Sequence, residues 1–249
     1  MATLTAADQR LPQMAAVSAM AYARTAGVLI LLSLVAGGFG EFYVPSKLIV
    51  SGSPAATARH IVTSQALFRM GFAAYLVEAV CDISLTGIFY VLLRPVNRNI
   101  ALLAAFFRLT GTATFAIAEF FYIAASLISG EASYLRSFSP DQLNSLALLS
   151  LTLYGHGGSL FSVFYGVGST LLGYLISRSG YIPKVLGALV ALGGLGFIIM
   201  NFTLVLAPAY ASNVLLLPTP IAMLVLALWL LVRGVSDEEW QERVAAAAQ

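Results

Sequence analysis

Arg69–Leu93 reads RMGFAAYLVEAVCDISLTGIFYVLL, and Ile100–Ser129 reads IALLAAFFRLTGTATFAIAEFFYIAASLIS. Each stretch exceeds the roughly 20 helical residues needed to cross a hydrocarbon core of about 30 Å. Each also carries charge inside it: Glu78 and Asp82 in the first, Arg108 and Glu119 in the second. Apolar runs of this length are membrane helices, and an ionisable group within one costs about 2.5–3.5 kcal/mol on insertion scales unless it faces the bundle interior and finds a partner.

Composition extends this reading to the whole chain. Of the 249 residues, 59% are hydrophobic and only 10% charged, against roughly 25% charged in a soluble domain. Further apolar runs lie at about Thr25–Val44, from the helix opened at Ser139 through to Ser177, at Val185–Ala207 and at Leu215–Val232. The expected fold is all-α, a polytopic bundle of about six spans with a short surface helix and an amphipathic C-terminal tail. The regions are a cytoplasmic segment 1–24, a bundle 25–233 and a cytoplasmic tail 234–249.

Local signals set the boundaries. Pro45 and Lys47 are expected to end the first span, and Arg94-Pro95 the second, since proline lacks a donor and restricts the residue before it. Ser139-Pro140-Asp141-Gln142 supplies an N-cap, a first-turn proline and a capping-box glutamine. Gly155-His156-Gly157-Gly158 predicts a break in that helix. Ser53-Pro54 opens a surface helix reaching Phe68, and Ser236-Asp237-Glu238-Glu239 caps a helix beyond the last span. The first twenty residues show no cleavable signal pattern. Arg10, Arg24, Arg94, Arg98, Arg178, Lys184, Arg233 and Arg243 fall on one side of the alternating spans, and Lys47, Arg59, Arg69 and Arg136 on the other. The excess predicts both termini in the cytoplasm.

Depth selects partners among the buried charges. At 1.5 Å per residue, Asp82 lies roughly 16 Å and Arg108 roughly 12 Å from the same boundary, so antiparallel neighbours would pair them, with Glu78 one turn away as a competitor. A structural ion pair fixing helix register is the plainer role for this set. Nearer the opposite boundary, Glu41, Glu119, His156 and Asn201 project to similar depth. They could bind a ligand or relay protons at the mouth of a cavity; the bland alternative is that Glu41 and His156 meet headgroups and that the Asn201 amide bonds across helices.

Several chemistries are disfavoured. His60 and His156 are the only histidines, too few for the ligand set of a multi-histidine zinc hydrolase, and His60 is expected outside the membrane, which disfavours axial haem ligation by the two. No GxSxG marks a nucleophile, and the single cysteine, Cys81, excludes an internal disulfide. No metal and no cofactor is expected. The basic residues are dispersed, so nucleic acid is not an expected partner. Phe106, Phe107, Phe120, Phe121 and Tyr122 read as packing or interface-belt residues.

The runs GEFYVPSKLIVSGSPAATA (40–58), YVLLRPVNRNIALLAAFFRL (90–109), SYLRSFSPDQLNSLALL (133–149) and LLGYLISRSGYIPKVLGAL (171–189) resemble the bacterial DUF4386 family of multi-span membrane proteins, over about Thr25–Val235. The resemblance implies a six- or seven-helix membrane fold in the bacterial plasma membrane, and no activity. It places Arg108 and Pro183 on recurring family positions. Two departures stand out: the last span, IAMLVLALWLLV, lacks an acidic residue found in many relatives, and Thr152 and Tyr154 stand where some relatives carry Asp and His.

The leading expectation is a small-ligand transport or sensing bundle with a polar cavity, its partners the lipid bilayer and a small polar or lipid ligand. One rival is a membrane enzyme acting on a lipid or isoprenoid, with Glu41, Glu119 and His156 as acid and base groups. The other is an accessory subunit using its surface helix and acidic tail. The sequence sets no oligomeric state.

Overall fold

The computed structural model describes residues 18–130 and 132–247. Arg10, most of the expected N-terminal segment and the last two residues of the tail lie outside the described residues. Among the described residues there is no strand, and six helices are long and apolar enough to cross a membrane: Ala19–Leu48, Gln65–Leu93, Arg98–Ile128, Pro140–Ser179, Lys184–Leu206 and Asn213–Val232.

The first span starts earlier than expected, at α1 (Ala19–Gly37), because the Ser18 hydroxyl caps it by accepting from Ala21 N–H at 3.1 Å. Pro45 does not end it. The helix widens into a π-turn over Gly38–Tyr43 and resumes as α2 (Val44–Leu48). Pro45 has no N–H for the Glu41 carbonyl, and its ring would press on that carbonyl in a regular helix; the wider turn, with Val44 N–H donating to Phe39 C=O, accommodates both. The surface helix is α3 (Pro54–Thr63), followed by α4 (Gln65–Leu93) and α5 (Arg98–Ile128).

The next helix, α6 (Pro140–Ser179), has the expected capping box: Ser139 N–H donates to Gln142 at 2.8 Å and Gln142 N–H to Ser139 Oγ at 3.3 Å. The break expected at Gly155–Gly158 is absent, and α6 runs unbroken for 40 residues. In an apolar medium the backbone must satisfy itself within the helix, and of these glycines it is Gly157 that serves close approach instead. A Cβ on Gly157 would collide with Ala118 of α5, whereas one on Gly155 would meet nothing within 4 Å. At roughly 60 Å, α6 outruns the hydrocarbon core, and α3 packs against it.

The chain is completed by α7 (Lys184–Leu206), α8 (Pro218–Val232) and the tail helix α9 (Asp237–Ala247). The spans close on themselves: α1 packs on α4, α4 on α5, α5 on α6, α6 on α7, α7 on α8, and α8 back on α1. Two apolar plugs fill the ring. One, at the α9 end, gathers Ile30, Leu85, Phe89, Leu92, Leu175, Ile176, Leu226 and Leu230. The other, at the α3 end, gathers Val44, Leu48, Ile61, Phe68, Tyr122 and Leu151. The buried charges occupy the layer between them.

Candidate functional site

Within that layer, Arg108 of α5 reaches Asp82 of α4, Nη2 to Oδ1, at 3.5 Å. Arg108 is 2% exposed and Asp82 6%. Space for the guanidinium comes from α6: a Cβ on Gly168 would stand 2.8 Å from Arg108 Cγ, and the Tyr165 ring lies 4.4 Å from the guanidinium carbon in a cation–π contact. Arg108 Nε and Nη1 have no partner among the described residues. The nearby threonines are spent on their own helices, Thr86 donating to Asp82 C=O at 2.8 Å and Thr112 to Arg108 C=O at 3.2 Å.

Glu78, expected to compete for Arg108, turns to α1 instead. A Cβ on Gly37 would stand 2.8 Å from Glu78 Oε1, so the missing side chain there makes the groove that receives the carboxyl. One turn further along, Gly40 lies close to Gly71 C=O of α4, and the π-turn brings Glu41 to hydrogen-bonding range of Glu78. The Glu119 carboxyl on α5 faces the Tyr154 hydroxyl of α6 and is 4% exposed. Among these groups stands Tyr75, 6% exposed, within electrostatic reach of Glu119, Glu78, Glu41 and Asp82. Its hydroxyl, Glu78 Oε2 and Glu119 Oε2 are buried with no hydrogen-bond partner among the described residues.

Aromatic rings brace the layer. Phe68 stacks on Tyr122 at 4.1 Å, and contacts of 5.0–5.9 Å continue through Tyr154, Phe115 and Phe161 to Tyr165. Tyr75 meets Phe115 edge-on at 5.1 Å. Tyr122 is committed, its hydroxyl donating to Phe68 C=O at 3.0 Å. Phe106, Phe120 and Phe121 are exposed on the outside of the bundle.

The structure brings Glu41 and Glu119 into one neighbourhood but not His156, which is exposed. The convergence expected of these three is therefore corrected. Because α6 keeps its helical period through the glycines, Tyr154, Gly157, Gly158 and Phe161 face α5 and His156 points away. Asn201 on α7 is buried, but its amide donates at 2.8 Å to Phe197 C=O of its own helix, and α7 packs on α6 and α8 rather than on the acid-bearing helices. Two large clefts, each about 660 Å³, include none of Glu41, Glu119, His156 and Asn201; one lies by Arg94–Asn99 and α9, the other by α3 and the start of α6.

Tyr75 carries no charge and sits in an apolar run, so nothing in the sequence distinguishes it from a packing residue. The available signal was the spacing of Tyr75, Glu78 and Asp82, which puts all three on one face of α4.

The sequence model described as "Domain of unknown function (DUF4386)" matches residues 25–234. An uncharacterised protein of Archaeoglobus fulgidus is 28% identical over 158 residues, covering 62% of this chain and 78% of that protein. No solved structure matches the chain.

Proposed function

We propose a function from the site itself, since the chain belongs to the DUF4386 family, a domain of unknown function. The reading is a small-ligand transport or sensing bundle of the bacterial plasma membrane, with both termini cytoplasmic and with a small polar or lipid molecule as ligand. One observation carries it: between two apolar plugs, Glu41, Glu78, Asp82 and Glu119 share a layer with Arg108 as the only cationic side chain among them. A register-fixing pair needs one acid for one base. Three further carboxyls at membrane depth are costly and are accounted for by a function that uses them.

The exposure of His156 weighs against the rival lipid enzyme, which needed that imidazole as an acid or base beside Glu41 and Glu119. Native mass spectrometry of the full chain, purified with its lipids, tests the reading. A co-purifying small molecule or lipid should be present in wild type and lost in Glu119→Gln with the fold retained. Identical spectra from the two proteins would overturn the reading and favour the accessory subunit.

A further inference from the structure

We propose that Glu41, Glu78, Tyr75 and Glu119 form a proton-binding relay at mid-bundle, the proton being the ion that the bundle couples to its ligand; this coupling rests on the transport or sensing reading. The Glu78 carboxyl of α4 fills the groove at Gly37, one turn before Glu41 in the π-turn, and this places the two carboxyls within hydrogen-bonding range. Two carboxylates at that range repel, and two carboxyls hold together only with a proton between them. The Tyr75 hydroxyl is the second, independent observation. It is buried, has no partner among the described residues, and lies among the acids, as a group would that exchanges hydrogen bonds rather than holding one.

The surroundings leave these groups free to act. On α4, Asp82 is engaged by Arg108 of α5, and Cys81 is buried beside it. On α5, Tyr122 is bonded to Phe68 C=O. From α6, Tyr154 faces Glu119 and Tyr165 covers Arg108. Of the other neighbours of α1, α8 contributes no titratable side chain, and Asp237 of α9 meets it at Met20, at the opposite end from Glu41. Among the described residues, no three His, Cys, Asp or Glu side chains converge as metal ligands would. Oxygens that do not converge on one point suit a proton, which moves by hops, better than an ion needing several ligands at once.

Each hop balances. A carboxyl of the Glu41–Glu78 pair gives its proton to the Tyr75 oxygen, directly or through one water, while the Tyr75 O–H releases its own proton towards the Glu119 carboxylate. One proton crosses the layer and no covalent framework changes; rotation of the Tyr75 hydroxyl, uptake of a proton by the Glu41–Glu78 pair and release of one from Glu119 reset the relay.

Infrared difference spectroscopy of the full chain in lipid nanodiscs tests the relay. Wild type should show a protonated-carboxyl C=O band at neutral pH that shifts in D₂O. Glu41→Gln and Glu78→Gln should each lose intensity in it, and Tyr75→Phe should keep the intensity but slow its exchange with D₂O. The wild-type band needs no variant to fold, and its absence would overturn the proposal. Loss of the band when sodium chloride replaces choline chloride would also overturn it, by showing that the site takes sodium. If the band behaves as expected while ligand retention is the same in Glu119→Gln as in wild type, the relay stands and the transport or sensing reading falls.

Discussion

Arg108 concentrates the energetic risk of this bundle in one side chain, since it is 2% exposed and holds a single carboxylate oxygen at 3.5 Å. Removing one partner of such a pair leaves a buried charge uncompensated, a loss of about 3–5 kcal/mol, whereas replacing both can be neutral. Arg108→Leu should therefore lower the thermal midpoint strongly, and adding Asp82→Leu should recover part of the loss. Strictly additive shifts, measured in one detergent, would show that the pair is not coupled. Helix rise alone sufficed to place Asp82 and Arg108 at one level, because both are counted from the same short α4–α5 connection. The Glu41–Glu78 contact was beyond that arithmetic. It depends on α1 packing on α4, on the groove left by Gly37, and on a π-turn that re-aims Glu41.

Glycine governs how the elements meet. Along the α6–α7 seam, a Cβ on Gly166 would stand 2.7 Å from Gly194 C=O, and one on Gly194 would stand 2.5 Å from Gly166 C=O, so the two backbones touch where a side chain would separate them. Small residues at such crossings permit the van der Waals contact that drives helix association in lipid. Gly194→Val should cost about 1–3 kcal/mol by overpacking, and Gly157→Val should do the same against Ala118. Gly155→Ala should be harmless, since nothing lies within 4 Å of its new Cβ. Thermal midpoints of the three variants check this; a damaging Gly155→Ala would mean that the helix does need flexibility there. Six spans and most of their ends were legible from run length and capping chemistry. The YGHGG segment misled because glycine signals a weak helix in water, while in lipid the backbone keeps its own bonds and glycine marks contact.

The closed ring is tied together at the α9 end by one backbone carbonyl. Beyond the end of α4, Val96 N–H turns to Leu93 C=O, which leaves Leu92 C=O without a helical donor; the Tyr181 hydroxyl and Trp240 Nε1 donate to it, the latter at 3.1 Å. Asp237 accepts from Met20 N–H at 3.2 Å, and Arg243 donates to Arg178 C=O at 3.2 Å, so α9 is fastened to three parts of the bundle. Burial raises the Tyr181 pKa, with Arg243 pulling the other way. A tyrosine freed by release has its ordinary pKa of about 10. The fastened state is thus fully favoured below that pH and loses its advantage as pH climbs through and beyond it. Protease cleavage within 237–247 should rise over that interval, and Tyr181→Phe should flatten the rise while Trp240 still holds the carbonyl. The same asymmetry of ends gives the topology its test. Arg94, Arg98, Arg178, Lys184, Arg233 and Arg243 lie at the α9 end, and Lys47, Arg59, Arg69 and Arg136 at the α3 end. By the positive-inside rule this distribution supports the proposed orientation, with the α9 end on the cytoplasmic side. In a Cys81→Ser background, single cysteines at Ser53 and Ser133 should react with an impermeant thiol reagent in intact cells. Cysteines at Asn97 and Ser179 should react only after lysis, and the opposite pattern would invert the protein in the membrane.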